Sequence, residues 1–271
     1  MKRVLITGGT VFVSRFAATW FAKNGYEVFV LNRGNHLQPE NTTLIQADRH
    51  QLGDRLKHLS FDAVLDITAY DAQDVHDLLN ALGSFDDYIL ISSSAVYPEN
   101  LSQPFVETQP VGPNTIWGKY GTDKIAAEQE LLKSVPNAYI LRPPYLYGPM
   151  QNLYREPFVF DCAVQGRPFY IPGDGKMPLQ FFHVEDLCAS CILSCKIIHP
   201  IIFLTLEIGK QLISIPLLSF VMKQPIVRFL SSMSSPTLIK GIISPFITIP
   251  MFWTLLVKIS CSFSKRICCR D

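Results

Sequence analysis

Between Met1 and Leu187 the sequence holds a single cysteine, Cys162, which excludes a disulfide framework in that stretch. The remaining six, Cys188, Cys191, Cys195, Cys261, Cys268 and Cys269, all lie beyond it. Acidic residues show the reverse bias. After Leu187 only Glu207 and Asp271 remain, against nine Lys or Arg, so an acidic first part precedes a basic tail. The formal net charge of the whole is only +1, which gives no reason to expect a nucleic-acid partner. A secretory signal is also missing from the reading: Met1-Lys2-Arg3 is followed by only three apolar residues before Thr7, too short for an apolar core segment. A reduced, cytoplasmic setting is therefore expected. Neither an internal repeat nor a low-complexity linker interrupts the first part.

What is present is alternation. Val4-Leu5-Ile6 has the look of a buried parallel strand, and it meets the turn Thr7-Gly8-Gly9-Thr10. A helical pattern follows from Phe12 to Lys23, closed by Asn24-Gly25, and a second strand runs from Glu27 to Leu31. This unit spans about thirty residues, the length of a right-handed βαβ crossover. Further strands are predicted at Thr43 to Gln46, Ala63 to Ile67, Tyr88 to Ser92 and Ala138 to Leu141. Helices are predicted at His50 to Leu59, Ala72 to Leu82 and Ile116 to Lys133. The fold class expected is α/β, a Rossmann-type doubly wound parallel sheet.

Two signals carry chemistry. In the glycine turn the backbone can approach a pyrophosphate, whose charge meets the free N–H groups at a helix start. The bland alternative is a plain tight turn. Tyr120-Gly121-Thr122-Asp123-Lys124 sets a phenol and an ammonium four residues apart on one helix face. A phenol is a poor base at neutral pH, and a neighbouring cation brings it towards working range. Ser92-Ser93-Ser94 ends a preceding strand, where hydroxyls can orient a reacting oxygen.

In this order and spacing, the chain resembles the NAD-dependent epimerase/dehydratase family of extended short-chain dehydrogenases. Further matches are Ile91 to Tyr97, Arg142 to Pro149 and Phe182 to Leu187. The resemblance implies a nucleotide-sugar substrate and a nicotinamide cofactor. It assigns Tyr120 as acid/base, Lys124 to the nicotinamide ribose and to lowering the tyrosine pKa, and Ser93, with Ser94 beside it, to the reacting oxygen. Thr7, Gly8, Gly9, Thr10, Val11 and Phe12 would form the pyrophosphate turn. Asp48 would contact adenine, and Ile67, Thr68 and Ala69 would line the cofactor. Tyr147 and Asn152 lie where the sugar-nucleotide pocket begins. Association as a homodimer through the helix bearing Tyr120 is what the resemblance allows. No metal site is expected: Cys188, Cys191 and Cys195 lack a fourth ligand at structural-zinc spacing.

Departures narrow the reading. The family's turn runs Thr-Gly-Gly-Thr-Gly-Phe-Ile-Gly, whereas this chain has Val11 and Ser14 at the last two glycine positions. After the second strand, Asn32-Arg33 replaces an acid that would bind ribose hydroxyls, which favours a 2′-phosphate and NADP over NAD. A solvated turn arginine is the alternative. No carboxylate follows Ser93, so epimerase or ketoreductase ranks above 4,6-dehydratase. A binding protein of the same fold without turnover, cofactor-sensing or RNA-associated, is the reading from another class.

From about Cys188 the texture changes. Pro200, Pro216, Pro225, Pro236, Pro245 and Pro250 interrupt every candidate helix. One codon choice for residues 199–209, read one nucleotide earlier, spells Pro-Asn-His-Ile-Phe-Asn-Val-Gly-Asn, the segment with which the family continues. A frameshifted tail over 188–271, leaving an incomplete C-terminal substrate lobe and a product that binds cofactor without turnover, is therefore hypothesised; coding DNA without that alternative frame removes it. The competing expectation is a membrane anchor at Ile242 to Val257, which applies only if the tail is genuine.

Overall fold

Each central strand is a short apolar run, and each pairs in parallel with its neighbours. The computed structural model describes residues 1–168, 170, 178–196, 203–205 and 212–213. In chain order the elements are β1 (Arg3–Thr7), α1 (Phe12–Lys23), β2 (Glu27–Asn32), β3 (Thr42–Gln46), β4 (Ser60–Asp66) and α2 (Ala72–Ala81). There follow β5 (Ser84–Ile91), α3 (Lys119–Ser134), β6 (Tyr139–Arg142), β7 (Tyr145–Tyr147), α4 (Glu156–Val164) and β8 (Pro178–Leu179). Last come β9 (Phe181–His183), α5 (Val184–Lys196), β10 (Phe203–Thr205) and β11 (Leu212–Ile213).

Among the described residues the main sheet has seven strands, in the order β10-β6-β5-β4-β1-β2-β3. Val4, Leu5 and Ile6 face Ala63, Val64 and Leu65 on one side and Val28, Phe29 and Val30 on the other. The chain therefore winds outward from β1 to β3, then returns to lay β4 against β1. At that reversal the two crossovers leave in opposite directions, and the carboxyl ends of β1 and β4 bound an open crevice.

Parallel strands covered on both faces must be apolar on both. Leu5, Phe29, Leu31, Val64, Leu90 and Ile140 join Val75 and Leu78 of α2 and Ala127 and Leu131 of α3 in one buried cluster. The alternate residues Val4, Leu65 and Ile89 line a small cavity with Phe21 of α1 and Cys191 of α5. Each fully buried Leu, Ile or Phe contributes roughly 1.5–3 kcal/mol.

The expected helix at His50 to Leu59 is not formed. Gln51, Arg55, Lys57 and Leu59 donate to carbonyls three residues back, and Gly53 sits at φ +55°. Leu52 and Leu56 are buried, so an apolar spacing that reads as helical is met by a succession of turns. The helix expected from Ile116 begins at Lys119, because Gly118 at φ +50° ends a separate turn capped by Asn114. Strands β4 and β5 start earlier than expected, since Ser60 pairs with Ser84 and Phe61 with Phe85.

The boundary expected at Leu187 falls inside α5, which continues to Lys196 and packs against α1. Cys188 and Cys191 are buried there. β10 adds to the sheet edge, pairing Phe203 with Ile140. In a separate compact unit comprising residues 153–181 and 212–213, Pro157 lies in the first turn of α4 and β8 pairs antiparallel with β11. Among the described residues no helix is long and apolar enough to cross a membrane, and the candidate anchor at 242–257 lies outside them.

Asp186, in the first turn of α5, is only 5 % exposed, and burial, with Glu185 next, raises its pKa to about 6. A carboxyl held above its unfolded value costs stability above pH ~6, and the cost disappears as pH falls towards 4. Asp186→Asn should therefore raise the melting temperature at pH 8 by about 3–6 °C, a gain of roughly 1–2 kcal/mol after solvent screening. Thermal unfolding followed across pH should show the gain vanishing near pH 4; a pH-independent gain would contradict it.

Candidate active site

The crevice is built from strand ends. Thr7 closes β1, and its hydroxyl donates to Asp66 at the end of β4 over 2.8 Å while accepting the Ile67 and Thr68 N–H groups at 2.9 and 3.1 Å. Asp66 is fully buried. Besides Thr7 it accepts from the Tyr88 hydroxyl at 2.7 Å and, bidentately, from Arg49 at 2.8 and 2.9 Å. A second Arg49 nitrogen donates to the Thr68 hydroxyl at 3.1 Å. The two strands that bound the crevice are thus tied at their mouths by one satisfied buried charge.

Gly8 and Gly9 hold φ +89° and +94°. A β-carbon on Gly8 would come within 2.9 Å of Thr68, and one on Gly9 within 2.7 Å of Val30. Only glycine fits the turn. Ser14, buried at the position of a later family glycine, donates to the Val11 carbonyl over 2.9 Å and closes the loop onto α1. Val11, the residue before α1, is half exposed, so its side chain does not fill the turn. Among the described residues no side chain caps the N-terminus of α1, and no acid stands in its first turn. Its N–H groups remain available to an anion, which is what a dinucleotide pyrophosphate requires. The residues present fit that group.

Asn32 is committed to the turn itself. Its amide donates to the Gly8 carbonyl at 2.6 Å and to Gln38 at 2.9 Å, and its oxygen accepts from Gly34 N–H at 2.8 Å. Arg33 and Asp48 are exposed, and Asp48 accepts from the His50 N–H at 2.9 Å.

At the ends of β5 and β6 the three serines part company. Ser92 is buried, and its hydroxyl donates to Glu128 at 2.5 Å. Ser93 points elsewhere: its hydroxyl accepts from the Ala95 N–H at 3.2 Å. Ser94 is half-buried, its N–H on the Pro143 carbonyl at 3.0 Å. Gly121, next to Tyr120, lets α3 approach this turn, since a β-carbon there would meet the Ala95 carbonyl at 2.5 Å. Gly121 was legible as a small residue inside the Tyr-x-x-x-Lys stretch, but its partner was not.

Lys124 is 3 % exposed and donates to the carbonyls of Ala69 at 2.7 Å and Ile91 at 3.0 Å. Burial lowers its pKa to about 8. Its ammonium lies 5.9 Å from the centre of the Tyr120 ring. Burial raises the Tyr120 pKa above its ordinary value, and the Ser93 hydroxyl opposes that rise. Tyr147 belongs to a neighbouring group, edge-on to His183 at 5.1 Å, with burial and then Asp186 raising its phenol. Asn152 is exposed.

The sequence profile of the NAD dependent epimerase/dehydratase family matches residues 4–197. A chloroplast stem-loop binding protein of 41 kDa from Arabidopsis thaliana is 30% identical over 70% of this chain and 54% of its own length. A 2′-dehydrokanamycin reductase of Streptomyces kanamyceticus is 25% identical over 69% of this chain and 56% of its own. The chain thus spans about half the length of the curated relatives it matches. Among solved structures, a UDP-N-acetylglucosamine 4-epimerase from Methanobrevibacter ruminantium superimposes with TM-score 0.68 at 22% identity, covering 86% of this chain and 83% of that one. A UDP-glucuronic acid 4-epimerase from Bacillus cereus, solved with UDP-glucuronic acid and NAD, gives 0.66 at 20% identity and 82% coverage of each.

Proposed function

Since the chain belongs to the NAD-dependent epimerase/dehydratase family, we propose that it is an NAD(P)-dependent epimerase or ketoreductase acting on a nucleotide sugar. The observation that carries this reading is the placement of Tyr120 and the buried Lys124 on one face of α3, the ammonium 5.9 Å from the phenol ring and bonded to the Ile91 carbonyl at the end of β5, two residues before Ser93. When bound, the dinucleotide supplies hydride acceptance and donation. Thr7, Gly8, Gly9, Thr10, Val11 and Phe12 would hold its pyrophosphate, and Ile67, Thr68 and Ala69 would line it. Asp48 would meet its adenine, and Lys124 its nicotinamide ribose. Tyr120 moves the proton of the reacting hydroxyl, and Ser93 orients that oxygen. The buried Ala95 and Val96 follow where an elimination would need a carboxylate, which supports epimerisation or reduction over dehydration.

Arg33, exposed after β2, supports a preference for the 2′-phosphate of NADP; Asn32 contributes by shaping the turn. Incubation of the full chain with NAD or NADP and a panel of UDP- and dTDP-sugars should give an epimer or a reduced sugar, and calorimetry should show tighter binding of NADPH than NADH. A 4-keto-6-deoxy product, or tighter NADH binding, would overturn the corresponding part.

A second reading has one observation behind it, the 30% identity to a protein named for stem-loop binding. On that reading the chain binds RNA hairpins without turnover. Saturable hairpin binding with no turnover of any sugar would favour it.

A further inference from the structure

The Tyr120 ring shares its stretch of surface with two other aromatic rings. Trp117 lies 6.2 Å from it, centre to centre, and 5.9 Å from Tyr145, with interplanar angles of 54° and 57°. Trp117 is 39 % exposed and Tyr120 38 %, so both rings offer surface to solvent. The turn that carries Trp117 is rigidly built. Asn114, 6 % exposed, donates to the Tyr97 carbonyl at 2.8 Å, and its oxygen accepts the N–H groups of Ile116 and Trp117 at 2.9 and 3.1 Å. Its own carbonyl accepts the Gly118 N–H at 2.8 Å. A half-exposed indole is thereby fixed beside the phenol rather than folded into the core.

We propose that Trp117, backed by Tyr145, is the wall that receives the apolar face of the substrate's sugar ring, and so helps set specificity. The inference rests on the reading that Tyr120 works on a sugar hydroxyl. With the two ring centres 6.2 Å apart, a sugar ring hydrogen-bonded to the Tyr120 hydroxyl is within reach of the exposed indole face. The axial C–H bonds of a pyranose are weakly positive and meet the negative face of an indole favourably. A diphosphate would need cations instead. Lys119, the nearby candidate in sequence, is engaged with Asp123 at 2.5 Å. The wall therefore suits the sugar and not the phosphates.

Calorimetric titration of the full chain with UDP-glucose, UDP-N-acetylglucosamine and UDP alone tests this. Trp117→Ala should weaken both UDP-sugars about tenfold or more while UDP stays within about twofold. Trp117→Phe, which keeps an aromatic face, should recover most of the sugar affinity. Of the three tryptophans in the chain, Trp117 should account for the fluorescence change on sugar binding, so Trp117→Phe abolishes it. Unchanged sugar affinity in Trp117→Ala, or parallel loss of sugar and UDP, overturns the inference alone. Failure of the native chain to bind any UDP-sugar overturns both it and the substrate reading beneath it.

Discussion

Tyr120→Phe is expected to reduce turnover by about 10²–10⁴-fold, the usual worth of a positioned acid/base. The ring stays, with its neighbour Trp117 and its place on α3, and only the hydroxyl is lost. Dinucleotide affinity should therefore remain within about twofold, since none of Gly8, Gly9, Thr7 or Thr68 touches that hydroxyl. Single-turnover rates, paired with a dinucleotide Kd, separate the two effects. Turnover that survives the substitution would remove Tyr120 from the mechanism. A parallel collapse of dinucleotide binding would make its role architectural.

The largest effect on stability is expected from Glu128→Gln. Glu128 and Arg142, 3 % exposed each, meet through two bonds of 2.5 and 2.9 Å. Arg142 also donates to the Tyr97 hydroxyl at 2.9 Å, and Ser92 donates to Glu128. Removing one charge leaves the other buried and uncompensated, which costs roughly 3–5 kcal/mol. For a domain of this size the melting temperature should fall by about 10 °C. Because Ser92 directly precedes Ser93, turnover should fall too. The double variant Glu128→Leu with Arg142→Met buries no charge and should recover at least half of the lost stability. Circular-dichroism melting of the three variants checks this; a shift under about 2 °C in Glu128→Gln would show the pair to be dispensable.

Much of this was legible before any coordinates. The strands at Val4, Glu27, Thr43, Ala63, Tyr88 and Ala138, the glycine turn and the Tyr120–Lys124 spacing are local patterns, and local patterns report period and turn chemistry well. The reading failed where a local pattern had two physical solutions. Leu52 and Leu56 have helical spacing, but Gly53 lets the chain bury both through turns.

The amino-acid order by itself determined the alternation of strands and helices, the turn that only glycine can make, and the residue types able to move a proton and hold a dinucleotide. It could not foresee that Ser92 would turn to Glu128, that Asn32 would brace the Gly8 carbonyl, that Lys124 would aim at Ala69 and Ile91, or that Arg49 would neutralise Asp66. Those partners lie 17 to 55 residues apart in the chain. Only the sheet order brings them together, because a side chain's direction is settled by whichever buried charge or carbonyl packing sets beside it.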